Sequence, residues 1–156
     1  MIQEKTLFEK IAQNEVPNWK IWEDDQYMAF LTPYPNTLGA TVVAPKKNIG
    51  ADAFEIDEED YRNLLKVARK IAQGLKHAFH VSRVGLVIEG ELVPHVHVKL
   101  YPFHAKSEKD LQIDRPQPQF FPYYPGFITT IDGPKMEEEK LKEIAQHIQQ
   151  VFDSEN

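Results

Sequence analysis

The chain has 156 residues, 42% hydrophobic and 27% charged, which suits one globular domain with a core of its own. A formal net charge of −6 argues against a face built for a nucleic-acid polymer, and the lack of cysteine excludes disulfides, thiolate chemistry and cysteine-based zinc sites. No apolar run approaches the ~18 residues of a membrane span, and Met1 to Lys5 do not read as a signal peptide, so a cytoplasmic protein with no membrane partner is expected.

The elements follow from the spacing of apolar residues. Thr6 to Ala12 reads as a short helix, with Thr6 as N-cap and Glu9 three residues on, the spacing of a capping box. Lys20 to Glu23 and Gln26 to Leu31 read as strands around the acidic turn Asp24-Asp25. A loop rich in proline, asparagine and glycine runs from Thr32 to Gly39, and Thr41 to Ala44 is a buried strand that Pro45 ends. Three strands with short connections predict an antiparallel meander. Asp57 to Phe79 carries the longest helical pattern, with Tyr61, Leu64, Leu65, Ala68, Ile71, Ala72, Leu75 and Phe79 recurring at helical spacing and acids in its first turn. Val84 to Glu89 and Val93 to Tyr101 complete five strands. A polar linker and the run Pro116 to Pro125 follow, and Leu141, Ile144, Ala145, Ile148, Val151 and Phe152 mark an amphipathic C-terminal helix. The class is α+β.

The chemistry concentrates in Pro94-His95-Val96-His97-Val98-Lys99-Leu100-Tyr101, where polar and apolar residues alternate. A period of two puts His95, His97, Lys99 and Tyr101 on one face, with successive nitrogens roughly 7 Å apart. Such a row can attract a phosphate, and a neutral imidazole at its centre can attack phosphorus, replacing one difficult displacement with two easier ones. Two other readings share the pattern. One is a solvated sheet face. The other is a zinc or copper site, for which Lys99 is a poor ligand and His77, His80, His104 and His147 offer no matching spacing. The preferred reading needs no metal and no cofactor.

These residues resemble the signature of the histidine triad (HIT) family of nucleotide hydrolases and transferases, in which three histidines alternate with apolar residues. The likeness extends to Thr6 to Ile11 with Glu15-Val16-Pro17, to Trp22 to Asp25 with Ala29 to Leu31, and to Gly39 to Lys47, covering about residues 6–102. It implies that His97 attacks the α-phosphate of a small nucleotide or dinucleotide to form a nucleotidyl-histidine, and that His95 orients His97. It places base and ribose between Phe8, Ile11, Val16, Phe30, Thr32 and Pro33, with Phe8 and Phe30 as rigid apolar walls. It also implies a five-stranded antiparallel sheet with one long packed helix, and a homodimer. Residues 1–104 would form the nucleotide-binding domain and residues 105–156 an extension packed on it.

Four departures stand out. Lys99 replaces the third histidine, which in the family helps hold phosphate and protonate the leaving group; an ammonium neutralises a phosphate oxygen but donates a proton sluggishly at its usual pKa. The family's nucleotidyltransferase branch has glutamine at this position. Thr32 replaces the aspartate that grips both ribose hydroxyls, Ala40 stands where a supporting histidine often follows Gly39, and Leu92 and Val93 lack the phosphate-facing hydroxyl that often precedes the signature. The alternative to an enzyme is therefore a nucleotide-binding module that has lost turnover. A third reading is an interaction protein using Phe120 to Tyr124, against which stands a covering role for that run within its own protein.

Overall fold

The computed structural model describes residues 4–104, 117–124, 128, 134–141, 143–144 and 149. The chain divides into two compact units, Met1–Leu111 and Gln112–Asn156. In the first, helix α1 (Leu7–Ala12) starts with the expected capping box: the Thr6 hydroxyl accepts from the Glu9 N–H at 3.3 Å, and the Glu9 carboxylate accepts from the Thr6 N–H at 2.9 Å. Strands β1 (Lys20–Glu23) and β2 (Tyr27–Leu31) meet at Asp24, whose carboxylate accepts from the N–H groups of Gln26 and Tyr27 at 2.9 and 2.7 Å. Strand β3 (Thr41–Pro45) leads through a loop to helix α2 (Glu58–Phe79). Asp57 caps α2 by accepting from the Glu59 N–H at 2.9 Å, and His80 ends it in the left-handed conformation. Strands β4 (Val84–Glu89) and β5 (His97–Pro102) close the unit.

The five strands form one antiparallel sheet in the order β1-β2-β3-β5-β4. The first three make the expected meander, and β5 lies between β3 and β4 with Val43 opposite Val98 and His97 opposite Glu89. Both faces of the sheet centre are covered, which is why β2 and β3 read as unbroken apolar runs. Tyr27, Ala29, Val43, Val98 and Leu100 pack under Leu64, Ala68, Ile71 and Leu75 of α2. The alternate residues Met28, Phe30, Val42 and Ala44 face the other way, against Phe8 and Ile11 of α1. His97 belongs to this second face.

One expected boundary shifts in a way that matters for the site. The fifth strand begins at His97, not at Val93. Residues 93–96 are held instead by side bonds: Val96 N–H donates to Gly50 O at 2.7 Å, the Asn48 amide donates to Pro94 O at 3.0 Å, and His95 N–H turns back to Val93 O at 2.6 Å. A backbone committed to these partners cannot also pair in the ladder. In the second unit, residues 138–141 and 143–144 are helical. Ala145, Ile148, Val151 and Phe152 of the expected C-terminal helix lie outside the described residues.

Two glycines test this account. Gly74 in α2 has open space around it, whereas a Cβ on Gly90, next to Glu89, would lie 1.9 Å from the Ala51 carbonyl oxygen. Gly74→Ala is expected to raise stability by about 0.5–1 kcal/mol, and Gly90→Ala to lower it by about 1–3 kcal/mol because backbone opposes the new methyl. Urea midpoints at constant m-value read both.

Candidate active site

His95 and His97 are held by a chain of hydrogen bonds whose directions leave no choice of tautomer. The Pro45 carbonyl has no proton to give, so His95 Nε2–H donates to it at 2.9 Å. His95 Nδ1 then carries a lone pair, and it accepts from the Thr6 hydroxyl at 2.8 Å. The Thr6 oxygen is free to donate in this direction because its own acceptor side already takes the Glu9 N–H. The cap of α1 and the first signature histidine are thus one structure. The His95 backbone carbonyl, in turn, accepts from His97 Nδ1–H at 2.8 Å. His97 Nε2 is left with an in-plane lone pair, the form a nucleophile needs.

The histidines sit in a dry setting: His95 is fully buried and His97 is 2% exposed. Burial is the largest influence on each and pushes both imidazoles below their usual pKa range. At His97 the Lys99 cation adds to this, while the bond to the His95 carbonyl and the Glu89 carboxylate oppose it. Both rings are therefore neutral at pH 7. Phe8 walls them, its ring edge-on to His97 with centroids 4.9 Å apart and to His95 at 5.4 Å.

The strand pattern put Lys99 in a row of nitrogen-bearing side chains and said nothing of a partner for it. Its ammonium is bonded to the Glu89 carboxylate, and the same carboxylate oxygen lies 3.6 Å from His97 Nε2. Glu89 is the residue that the sequence reading missed. It faces His97 because β4 and β5 pair with these two directly opposite, so a register for the hairpin would have exposed it. Thr6 was read only as a cap; its second bond, to a residue 89 positions away, has no local signal.

Phe8, Ile11 and Phe30 are buried in one cluster, against which Val16 packs half-buried. Phe8 and Phe30 touch edge to face with centroids 5.4 Å apart, so they form one continuous wall, not two walls with a slot for a base between them. Thr32 and Pro33 lie past the end of β2, outside that cluster, and the Thr32 hydroxyl oxygen accepts from the Tyr34 N–H at 3.2 Å. Ala40 is buried and bears no polar group. Among the described residues, no group of three or more histidines and carboxylates is arranged to hold a metal ion.

Comparison with known proteins gives a consistent result. The model of the HIT domain family matches residues 13–105. A HIT-like protein of Borreliella burgdorferi is 39% identical over 45% of this chain and 50% of its own length. An adenosine 5'-monophosphoramidase of Saccharomyces cerevisiae is 30% identical over 62% of this chain and 61% of its own, so the chain spans about half to three fifths of these relatives. The crystal structure of a HIT family protein from Bacillus anthracis superposes with a TM-score of 0.63 at 26% identity, covering 95% of this chain and 97% of that one.

Two measurements check the hydrogen-bond chain. Thr6→Val removes the N-cap acceptor and the His95 partner together and is expected to cost about 1–3 kcal/mol, while Thr6→Ser keeps both and stays near the parent in urea denaturation. The buried histidines also set a pH dependence. Their folded pKa values lie below the unfolded ones, so below about pH 6.5 the unfolded chain takes up protons that the folded one refuses. Stability should be flat above that pH and fall as pH drops from 6.5 toward the folded values, by up to about 1.4 kcal/mol per unit for each histidine. A urea midpoint that stays constant from pH 7.5 to 5 would contradict the burial argument.

Proposed function

The chain belongs to the HIT domain family, and from that premise we propose that it acts on the α-phosphate of a small nucleotide or dinucleotide through His97. The family supports nucleotide-binding hydrolase or transferase activity in general. The covalent route is carried by one observation: Nδ1–H of His97 is given to the His95 carbonyl, so the Nε2 lone pair points away from the backbone toward Glu89 and Lys99.

In the first step His97 Nε2 forms a bond to the α-phosphorus as the bond from phosphorus to the leaving group breaks, its electron pair departing with that group. Lys99 offsets the charge that develops there. In the second step a water or another acceptor forms its own bond to phosphorus and the N–P bond breaks, returning the pair to Nε2. The leaving group takes a proton from solvent in the first step, and the acceptor gives one up to solvent in the second. His95 keeps His97 in register through its carbonyl and does not touch the substrate. The base and ribose are placed along the wall of Phe8, Ile11, Val16 and Phe30, near Thr32 and Pro33 at the end of β2. Because the yeast relative is named a monophosphoramidase, an adenosine phosphoramidate is the first probe, with a diadenosine polyphosphate beside it.

A second reading, a module that binds nucleotide without turning it over, is favoured by two contacts: Lys99 is already held by Glu89, and Thr32 is engaged in its own turn. Two further proposals come with the family. The homodimer would use the outer strand β4, where Leu86 is 47% exposed, to pair with a second copy. The cytoplasm is the proposed location; among the described residues no helix is long and apolar enough to cross a membrane.

Incubation with the phosphoramidate, followed by acid-free intact-mass measurement, should show a nucleotidyl adduct on the protein that is absent from His97→Ala. Turnover should fall on the order of a thousandfold or more in that variant. Equal turnover in the variant would sink the mechanism. Nucleotide binding with no adduct and no product would leave the binding module as the correct reading.

A further inference from the structure

The nucleophile is flanked by a carboxylate, and the proposed reaction gives that carboxylate no part. Glu89 is bonded to Lys99 and lies 3.6 Å from His97 Nε2, where a phosphate must arrive to be attacked. The pair is not an exposed surface bridge of little consequence. The Glu89 side chain is 13% exposed, that of Lys99 32% and that of His97 3%, so charges at this spot are poorly screened.

Summing the charges around Nε2 gives a site without surplus positive charge. His95 and His97 are neutral, Lys99 contributes +1, and Glu89 contributes −1. On the far side of His95 a second carboxylate, Glu9, is bonded to the N–H groups of Thr6 and Asn48. A phosphoryl group that reaches Nε2 must share Lys99 with Glu89 and lie against its carboxylate. The penalty grows with the negative charge on that group. A phosphate bonded through two of its oxygens to other groups, as in an anhydride or diester, carries one negative charge. A phosphate monoester carries two above its second pKa of about 6.

We propose that Glu89 is a charge-selecting residue, which admits a singly charged, doubly substituted phosphate to His97 and disfavours a doubly charged terminal phosphate. This rests on the nucleotide reading of the site and deepens it. The substrates it selects are internal phosphate linkages, and the ligand it turns away includes the nucleoside monophosphate that hydrolysis releases. Lys99 in place of a third imidazole fits the same logic: its ammonium, bonded to Glu89, offsets the carboxylate beside the nucleophile.

Calorimetry at pH 8 with two probes tests this, adenosine 5'-monophosphate as the dianion and its 5'-methyl phosphate ester as the monoanion. The parent protein should bind the methyl ester more tightly than the monophosphate. Glu89→Gln, which keeps the shape and removes the charge, should shift that ratio by about tenfold toward the monophosphate. A parent protein that binds the monophosphate as tightly as the ester, or tighter, overturns the proposal without any variant. An unchanged ratio in a folded Glu89→Gln protein overturns it as well, while leaving the nucleotide reading intact. Failure of both probes to bind the parent overturns the nucleotide reading and the charge selection together.

Discussion

The site depends on one hydrogen bond, from the Nδ1–H of His97 to the backbone carbonyl of His95. A neutral imidazole has one proton and two nitrogens, and only the unprotonated one can attack an electrophile. Giving the proton to a carbonyl two residues back fixes which nitrogen is reactive and orients its ring plane. The carbonyl can serve this purpose only if residue 95 itself does not move. Its side chain secures that, anchored at one nitrogen to Pro45, 50 positions away, and at the other to Thr6, 89 positions away. The cap of a six-residue helix therefore supports the geometry of a reactive group on the sheet. A strand ladder running back through residue 95 would have put its carbonyl into the sheet, so the early departure of residues 93–96 from strand pairing belongs to the same design.

Burial then determines the charge state. Two imidazoles closed off by Phe8 and the sheet face pay too high a desolvation cost to carry protons at neutral pH, which leaves His97 Nε2 with its lone pair. The same dry setting strengthens whatever charges remain nearby. Lys99 and Glu89 remain, as a bonded pair, and Lys99 is the member that stands where the family's signature has its third histidine. A histidine there could give up a proton; the pair instead sets an ammonium and a carboxylate side by side next to His97. Lys99 is thus bound to a partner on the neighbouring strand.

Much of the fold was legible because its signals are local. The capping box at Thr6 and Glu9, the acidic turn at Asp24, the helix over Glu58–Phe79 and the strand Val84–Glu89 each follow from spacing within a few residues. Alternation in the signature also placed His97 and Lys99 on one face. What local signals could not convey was the company these residues keep. The pattern read His95 as a strand residue, but its N–H and that of Val96 bond outside the ladder, to Val93 and Gly50. Phe8 and Phe30 were read as two walls, but their rings meet edge to face.

By itself the sequence determined the five strands and two helices of the first unit, the family, and the identity of the histidine pair. Each is encoded by residue type at fixed short separations, which local backbone sterics and solvent exclusion translate directly into structure. The tertiary structure decided the rest: which nitrogen of His97 is free, that Lys99 is not an unpaired cation, and that Glu89 stands against His97 Nε2. These are outcomes of pairing between β4 and β5 and of α1 docking on the sheet. Hydrogen-bond direction and Coulomb interaction act over a few ångströms in space, and contacts of that range between distant segments have no fixed spacing along the chain.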